Sequence, residues 1–425
     1  MKSEIRSLPN LNSTTLKKFF NIFALILAGE AIFFLPFIIP RVFRPTMLQA
    51  YQITNLELGT TFSVYGIVAM VSYFLGGPLA DRYPARNLMA IALWLTAIGG
   101  FVMYLFPKLE FLIFIYGYWG FTTIFLFWAA LIKATREWGG ILKQGTAFGL
   151  LEGGRGLSSS LIGTLGMLVF SGFVLTGSAE DIAVSRNEVF GHVILTTTLI
   201  VFVVGIMVWV FVPKGIVGVE LSPDRISLSR FIRLLRMPTI WLQAIIIVCA
   251  YVGYKVTDDF SLYAYDVMSF DEKESATLGT IILWLRPVFA LLVGLLADRF
   301  NGAKLVLICF GFMIIGGGLL TLQLGAGFLV MTMIVIATTC AGVYGIRGIY
   351  FALMQEARVP LTLTGAAVGI ISFVGFTPDI FIGPIMGHLL DSNPGALGHQ
   401  LVFGVLVLFA FLGLFASYRF YQLIK

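Results

Sequence analysis

The chain has 425 residues, of which 58% are hydrophobic and only 12% are charged, whereas about a quarter of the residues in a soluble domain are charged. This composition excludes a soluble globular protein and indicates one that is embedded in a lipid bilayer. The formal net charge of +6 is explained by loops that face anionic lipid headgroups, so no nucleic-acid partner is predicted.

Apolar runs of about 20 residues, each long enough to cross a bilayer as a helix, recur along the chain. A β-barrel would instead show alternating segments of about ten residues. The first run is long and has no small-residue cleavage site, which predicts a retained helix and not a cleaved signal peptide. The runs predict twelve transmembrane helices, at residues 18–40, 57–76, 87–106, 110–133, 145–171, 190–212, 239–265, 275–296, 303–323, 327–354, 363–390 and 399–422.

Lysine and arginine are distributed unevenly over the predicted loops. Twelve spans place both termini on one side, where 19 of the 28 Lys and Arg fall, against 5 on the other side. Because positively charged loops stay in the cytoplasm, both termini are predicted to be cytoplasmic. We expect a multi-pass monomer of the cytoplasmic (bacterial inner) membrane.

The longest predicted cytoplasmic connection, residues 213–238, separates six spans from six. It predicts an N-terminal six-helix bundle over residues 1–212 and a C-terminal six-helix bundle over residues 239–425. The fold class is therefore an all-α membrane protein, and its two halves are candidates for an internal duplication.

Two short motifs support the duplication. Asp81-Arg82 recurs as Asp298-Arg299, 217 residues later, and a G-x-A-x-G pattern at 145–149 recurs 220 residues later. The repeats predict two pseudo-symmetric bundles. This is the organisation of alternating-access transporters, in which the substrate site lies near the midplane between the halves.

The stretch "GPLADRYPARN", residues 77–87, resembles the signature G-x-L-A-D-R-x-x-x-R-x that major facilitator superfamily transporters carry between their second and third helices. A weaker copy at 294–304 stands where that family has its second copy. The resemblance implies the twelve-helix fold of that superfamily, and a cytoplasmic gate in which Asp81 braces one half against the start of span eleven. The gating residues that it implies are Gly77, Asp81, Arg82, Arg86, Asp298 and Arg299.

A looser resemblance concerns "REWGGILKQGTAFGLLEGGRG", residues 136–156. It is similar to the W-x(n)-G-x-A-x-G-L region of the organophosphate/phosphate antiporters and related organic-anion porters. Those phosphate-ester porters carry a cation late in helix one and another in helix seven. Here the first span has no cation before Arg41, and the seventh has Lys255. The departure argues against a phosphate-ester substrate.

Ionisable side chains within spans cost at least about 2.5 to 3.5 kcal/mol each on insertion scales, so they mark candidate substrate or ion pathways. Nine such residues are present: Glu30, Glu152, Arg155, Lys255, Asp258, Asp259, Arg286, Arg347 and Asp379.

These charges have two readings. Glu152 and Arg155 are one helical turn apart and could neutralise each other, as could Lys255 and the acids that follow it. Arg286 or Arg155 could likewise pair across helices with Glu30 or Asp379. In the functional reading, an arginine left unpaired binds an anion through bidentate hydrogen bonds. Burial disfavours the charged form of an isolated carboxylate, so such a carboxylate is a candidate to bind and release a proton during transport.

We expect a secondary active transporter that moves a small organic anion by alternating access, either coupled to protons or by exchange for a counter-substrate. The expected substrate contacts are Arg155, Arg286, Lys255 and Arg347. The expected proton-coupling residues are Glu30, Asp379, Glu152, Asp258 and Asp259. The alternatives are a multidrug or metabolite exporter of the same fold and a membrane sensor that does not transport. No Walker loop, H-E-x-x-H or G-x-S-x-G motif is present, so no enzyme activity, cofactor or metal is predicted.

Overall fold

A computed structural model describes residues 11–139, 144–172, 179–214, 234–297, 299–324, 327–357, 359 and 364–425. Within these ranges the chain forms long helices, here numbered in chain order: α1 (Leu11–Ala31), α2 (Asn55–Arg82), α3 (Ala85–Tyr104), α4 (Leu109–Gly139), α5 (Gln144–Ser171), α6 (Ala179–Phe211), α7 (Pro238–Asp266), α8 (Glu272–Ala297), α9 (Gly302–Thr321), α10 (Leu329–Ile349), α11 (Thr364–Gly375 and Pro378–Ser392) and α12 (Ala396–Ile424).

Every predicted span coincides with one of these helices. In the described ranges nine of them are long and apolar enough to cross a membrane, or ten if the bent first segment is counted as one span. The helices α2 and α5, each of 28 residues, stand at the second and fifth predicted spans. The architecture is consistent with twelve spans, and the predicted all-helical fold class is confirmed.

Helix packing repeats with a period of six helices. In the N-terminal half α1 packs on α5 and α6, α2 on α4, and α3 on α6. In the C-terminal half α7 packs on α11 and α12, α8 on α10, and α9 on α12. Each half has its own cluster of buried apolar side chains. The exact boundaries of the halves stay a prediction, because residues 215–233 lie outside the described ranges.

Two helix pairs join the halves, α2 with α11 and α5 with α8. We call the end of the bundle where α1 begins and α12 ends the terminal face, and the other end the opposite face. The hydrogen bonds between the halves cluster at the midplane and toward the opposite face. For example, the Asp391 carboxylate of α11 accepts hydrogen bonds from the backbone N–H groups of Asn55 (3.0 Å) and Leu56 (2.7 Å), which begin α2.

Several helices are interrupted next to charged residues. The helix α1 ends at Ala31, and a π-helical stretch at Phe34–Ile38 with Pro36 inside it leads to a short helix at Ile39–Val42. The two parts meet at an angle of 40°, because proline cannot donate the backbone hydrogen bond that would continue the helix. Glu30 precedes this bend, and Arg41 follows it.

Two other interruptions lie in the C-terminal half. In α7 a 3₁₀ turn at Thr257–Asp259 follows Lys255, and α11 is broken just before Pro378 and Asp379. Such breaks inside long helices often mark hinges or functional sites. The charged side chains next to these two breaks, Lys255 and Asp379, lie 3.3 Å apart.

Glycines allow α2 and α11 to cross closely at the opposite face. A Cβ atom on Gly59 would lie 2.3 Å from the backbone oxygen of Gly383, and one on Gly387 would lie 2.4 Å from that of Asn55. Real Cβ atoms do not approach a backbone oxygen so closely, so a larger residue at either position would hold the two helices apart.

Replacement of Gly59 by valine is therefore expected to open the opposite face. Overpacking of this kind typically costs about 1–3 kcal/mol, which shifts the ratio of closed to open molecules by about 5- to 150-fold. The measurement is the labelling rate of a Thr46→Cys probe by a membrane-impermeant maleimide, since Thr46 is fully buried at this face. Gly311→Val is the control, because a Cβ at Gly311 would meet nothing within 4 Å. Equal labelling of the two variants would contradict the prediction.

Candidate functional site

A first cluster of charges lies where α1, α5 and α8 meet. Arg286 of α8 donates a hydrogen bond to Glu30 Oε1 (2.7 Å). Arg155 of α5 lies 3.2 Å from Glu30 Oε2 and donates a hydrogen bond to Glu152 (2.7 Å). Glu30, Arg155 and Arg286 are buried, whereas the Glu152 side chain is 56% exposed. The cluster thus joins the two halves at the midplane and reaches an open space through Glu152.

The contact between Arg155 and Glu30 is the loosest in this cluster. Arg155 Nε and Glu30 Oε2 are buried, but their geometry at 3.2 Å does not make a hydrogen bond. The Arg155 chain passes over Gly29, where an added Cβ would lie 3.1 Å from Arg155 Cδ. Glu30 therefore has one hydrogen-bonded partner, Arg286, and one looser partner, Arg155, which can change its position more easily.

A second cluster lies on α7 and α11. Lys255 Nζ is 3.3 Å from Asp379 Oδ1 and 3.7 Å from Asp258 Oδ2. Tyr251 donates hydrogen bonds to the two Asp379 carboxylate oxygens, at 3.1 and 3.0 Å. The Lys255 ammonium also lies over the ring of Phe37, 4.4 Å from its centroid, in a cation–π contact that offsets part of its burial.

Arg41 connects the N-terminal half to this second cluster. Its guanidinium pairs with the Asp258 carboxylate and donates to the Tyr254 hydroxyl at 2.8 Å. Arg41 is only 1% exposed. The positive-inside count treats it as a hydrated loop residue, and the structure corrects that, because the chain stays helical beyond residue 40.

Arg347 of α10 differs from the other cations of the site. Its guanidinium stacks on the Tyr254 ring at 3.9 Å from the centroid, and its Nη1 is buried without a hydrogen-bond partner among the described residues. Buried polar atoms are normally paired. The buried Arg347 Nη1, which lacks a hydrogen-bond partner among the described residues, indicates that a ligand binds here.

The charges around the midplane do not balance. Among the described residues that make up the two clusters or contact them, there are five cations, Arg41, Arg155, Lys255, Arg286 and Arg347, and four carboxylates, Glu30, Glu152, Asp258 and Asp379. The excess of one positive charge favours a negatively charged ligand.

Comparison with known proteins gives the family. The sequence model described as Major Facilitator Superfamily matches residues 22–381. The chain belongs to this superfamily. Membership makes it a multi-pass membrane transporter and points away from an enzyme.

Two relatives from Escherichia coli (strain K12) resemble the chain over most of its length. The inner membrane protein YqcE is 26% identical over 396 residues, which cover 87% of this chain and 89% of the relative. The inner membrane protein YihN is 27% identical over 410 residues, which cover 94% of this chain and 95% of the relative. Both names place the relatives in the inner membrane.

Solved structures of superfamily transporters share the fold. A bacterial homologue of the human lysosomal transporter Spinster, inward-facing and unoccupied, superimposes with a TM-score of 0.71 at 15% identity and covers 96% of this chain and 98% of its own. A D-xylose-proton symporter gives 0.71 at 14% identity, with 97% and 98% covered. The nucleoside transporter NupG gives 0.68 at 15% identity, with 98% and 100% covered. At these identities the likeness concerns the fold alone.

The structure brings eight of the nine predicted intramembrane charges to the midplane site of this superfamily member, and it places Asp259 elsewhere. Asp259 is buried against α12, where its Oδ2 is 2.7 Å from His399 Nδ1. The spacing from Lys255 made Asp259 look like a second partner of that lysine. The 3₁₀ turn at Thr257–Asp259 rotates it away.

The superfamily signature is only partly described. Asp298 and the Asp81 side chain lie outside the described residues, so their gating role stays a prediction. Arg82 and Arg299 are exposed, and the Arg86 guanidinium stacks on Trp209 at 4.7 Å.

The glycines of the signature differ in their packing. An added Cβ on Gly76 would lie 2.9 Å from the backbone oxygen of Phe125. Gly76 therefore packs closely against α4, as its residue type predicts, whereas Gly77 has no close neighbour.

Sequence reasoning missed Arg41, Tyr251 and Tyr254 as parts of the site. The two tyrosines stand one turn apart on α7, and their rings stack at 5.6 Å. Most membrane aromatics serve packing, and only the charges that these two contact distinguish them. The proline pair Pro36 and Pro40 in the first span was the available signal for the bend that buries Arg41.

Proposed function

We propose that this transporter moves a small organic anion across the bacterial inner membrane by alternating access, with both termini in the cytoplasm. The observation that carries the proposal is the unpaired Arg347 nitrogen in a site with one excess positive charge. A planar guanidinium presents paired N–H groups that match a carboxylate, sulfonate or phosphate group. The inner-membrane location rests on the names of the relatives, and the orientation rests on the loop charges.

The contacts between the halves suit an inward-facing conformation. The α2–α11 crossing and the bonds to Asp391 close the opposite face, and Glu152 is exposed at the inner end of the first cluster. With the termini cytoplasmic, the open side is the cytoplasmic one. An anion entering from there meets the exposed Glu152 before it reaches the buried Arg155 and Arg286.

Buried carboxylates provide a way to couple substrate transport to proton movement or to exchange for a counter-substrate. The Glu30 carboxylate pairs with Arg155 and Arg286. An anionic substrate would bind the same two arginines, so the substrate competes with ionised Glu30 for them. Protonation of Glu30 would free Arg286 and Arg155 for the substrate. Asp379 is held by Lys255 and Tyr251 and is the second candidate carrier of a proton.

Replacement of Arg347 by glutamine is expected to remove ligand binding while leaving the protein folded, because Arg347 forms no ion pair among the described residues. In a thermal-shift assay with carboxylates, sulfonates, sugar acids and phosphate esters, a ligand at 100 times its Kd stabilises the folded state by about 2.7 kcal/mol. The active anion should raise the melting temperature of the wild type and leave that of Arg347→Gln unchanged.

The control is Arg419→Gln, which removes an exposed arginine outside the site and should keep the response. An undiminished response of Arg347→Gln to the same anion would contradict the proposed contact. A wild type that responds to neutral sugars or nucleosides and to none of the anions would contradict the anionic substrate.

A further inference from the structure

Lys255 lies between two carboxylates of its own half of the molecule. Its Nζ is 3.3 Å from Asp379 Oδ1 on α11 and 3.7 Å from Asp258 Oδ2, one turn further along α7. All three side chains are buried or nearly so. A lysine has a flexible stem and a compact ammonium group, so a small rotation moves it from one carboxylate to the other.

In this conformation Asp258 contacts Lys255 only at 3.7 Å, against 3.3 Å for Asp379, because Arg41 already pairs with its other carboxylate oxygen. Arg41 comes from the other half and pairs with Asp258 Oδ1, while its own backbone oxygen accepts a hydrogen bond from Ser261 (2.8 Å). The pair lies beside the α2–α11 crossing, where Asp258 lines the same void as Gly59 and Gly383. It can persist only while the opposite face is closed, since alternating access separates the halves there.

We propose that Arg41 controls the protonation of Asp379 by deciding which carboxylate holds Lys255. When the opposite face opens, Arg41 withdraws and Asp258 takes Lys255. Asp379, without its cation, then binds one proton from water on that side. When the face closes, Arg41 reclaims Asp258 and Lys255 returns to Asp379. The proton leaves the carboxylate toward the cytoplasmic chamber.

The exchange is balanced in charge. Lys255 stays protonated throughout, and the one proton that moves binds to and leaves a carboxylate oxygen of Asp379. The other groups that face Asp379 are phenols: Tyr251 donates to it from α7, and Tyr65 and Tyr73 of α2 are near enough to interact with its charge.

A small void lies next to Lys255. It has a volume of about 10 Å³, which is room for about one water molecule, and its lining includes Arg44, Gly59, Lys255, Asp258 and Gly383. Separation of Gly59 from Gly383 would widen it toward the opposite face. Protons could then reach Asp379 past Lys255 without crossing the substrate chamber.

The inference rests on the proposed proton coupling, but its test needs no substrate. In lipid nanodiscs at pH 7, infrared spectroscopy detects the C=O stretch of a protonated carboxylic acid, and loss of the band in Asp379→Asn assigns it. The wild type should give a weak band. Arg41→Gln should strengthen it by about fivefold or more, up to complete protonation of Asp379, as expected for a coupling free energy of about 1–3 kcal/mol.

The double variant Arg41→Gln/Asp258→Asn is the matched control, because it also lacks the Arg41–Asp258 pair but leaves Lys255 no second carboxylate. Its band should be as weak as that of the wild type. An equally weak band in Arg41→Gln and the wild type, or an equally strong one in the single and double variants, would overturn the inference.

A second pair of variants keeps Arg41 in place, in case Arg41→Gln does not fold. Gly59→Val, which holds the opposite face open, should show a strong Asp379 band, and Gly59→Val/Asp258→Asn a weak one. Equal bands in this pair would also overturn the inference. If these results hold while no anion is bound or moved, only the proposed cargo is wrong, so the two failures are distinguishable.

Discussion

Replacement of Glu30 by glutamine is expected to destabilise the protein by about 3–5 kcal/mol, the usual cost of removing one partner from a buried ion pair. Glu30 is 2% exposed and is the shared acid of Arg286 and Arg155. A neutral side chain leaves Arg286 without a carboxylate, and Arg155 keeps only Glu152. The melting temperature in detergent should fall by several degrees.

The same variant should lose concentrative transport. A glutamine cannot take up or release a proton, so a pH difference across the membrane should no longer drive accumulation in proteoliposomes. The control is Glu110→Gln, which removes an exposed acid outside the site. If Glu30→Gln still concentrates substrate when a pH gradient is imposed, Glu30 has no part in the coupling.

Replacement of Arg286 by leucine is expected to reduce anion exchange by about thirtyfold or more, because loss of a buried hydrogen-bonded charge contact typically costs at least about 2 kcal/mol of binding. Folding should be largely preserved, since Arg155 still neutralises Glu30. The measurement is uptake of labelled anion into proteoliposomes. Normal uptake would remove Arg286 from the substrate site.

The double variant Glu30→Gln/Arg286→Leu separates a structural role from a transport role. Removing both partners of a buried pair is often neutral for stability, so its melting temperature should lie near that of the wild type. Transport should stay lost. Recovery of transport in the double variant would mean that the pair serves only to neutralise itself.

The sequence was sufficient for the spans and for most of the charges that meet at the midplane. Long apolar runs locate transmembrane helices well, because unpaired backbone groups are excluded from the hydrocarbon. Charges are rare in such runs, so Glu30, Arg286 and Asp379 were conspicuous. Pairs one helical turn apart, such as Glu152 with Arg155, followed from the spacing. The choice among partners on different helices stayed open in the sequence, because these partners are more than 100 residues apart in the chain.

Helix irregularities account for the residues that were misplaced. A straight helix would put Asp258 and Asp259 on the same face as Lys255, but the 3₁₀ turn sends Asp259 to His399 on α12. A span ending near residue 40 would leave Arg41 in water, but the bend at Pro36 keeps the chain helical and buries the side chain. Hydropathy averages do not register such local changes of rotation.

Substrate exchange by the wild type is the most direct test of the account. Proteoliposomes loaded with one member of a panel of carboxylates, sulfonates, sugar acids and phosphate esters are assayed for uptake of the same labelled compound. Neutral sugars and nucleosides serve as comparison. The account predicts exchange of at least one anion and its loss in Arg347→Gln. Exchange of neutral compounds alone, or anion exchange that survives in Arg347→Gln, would contradict it.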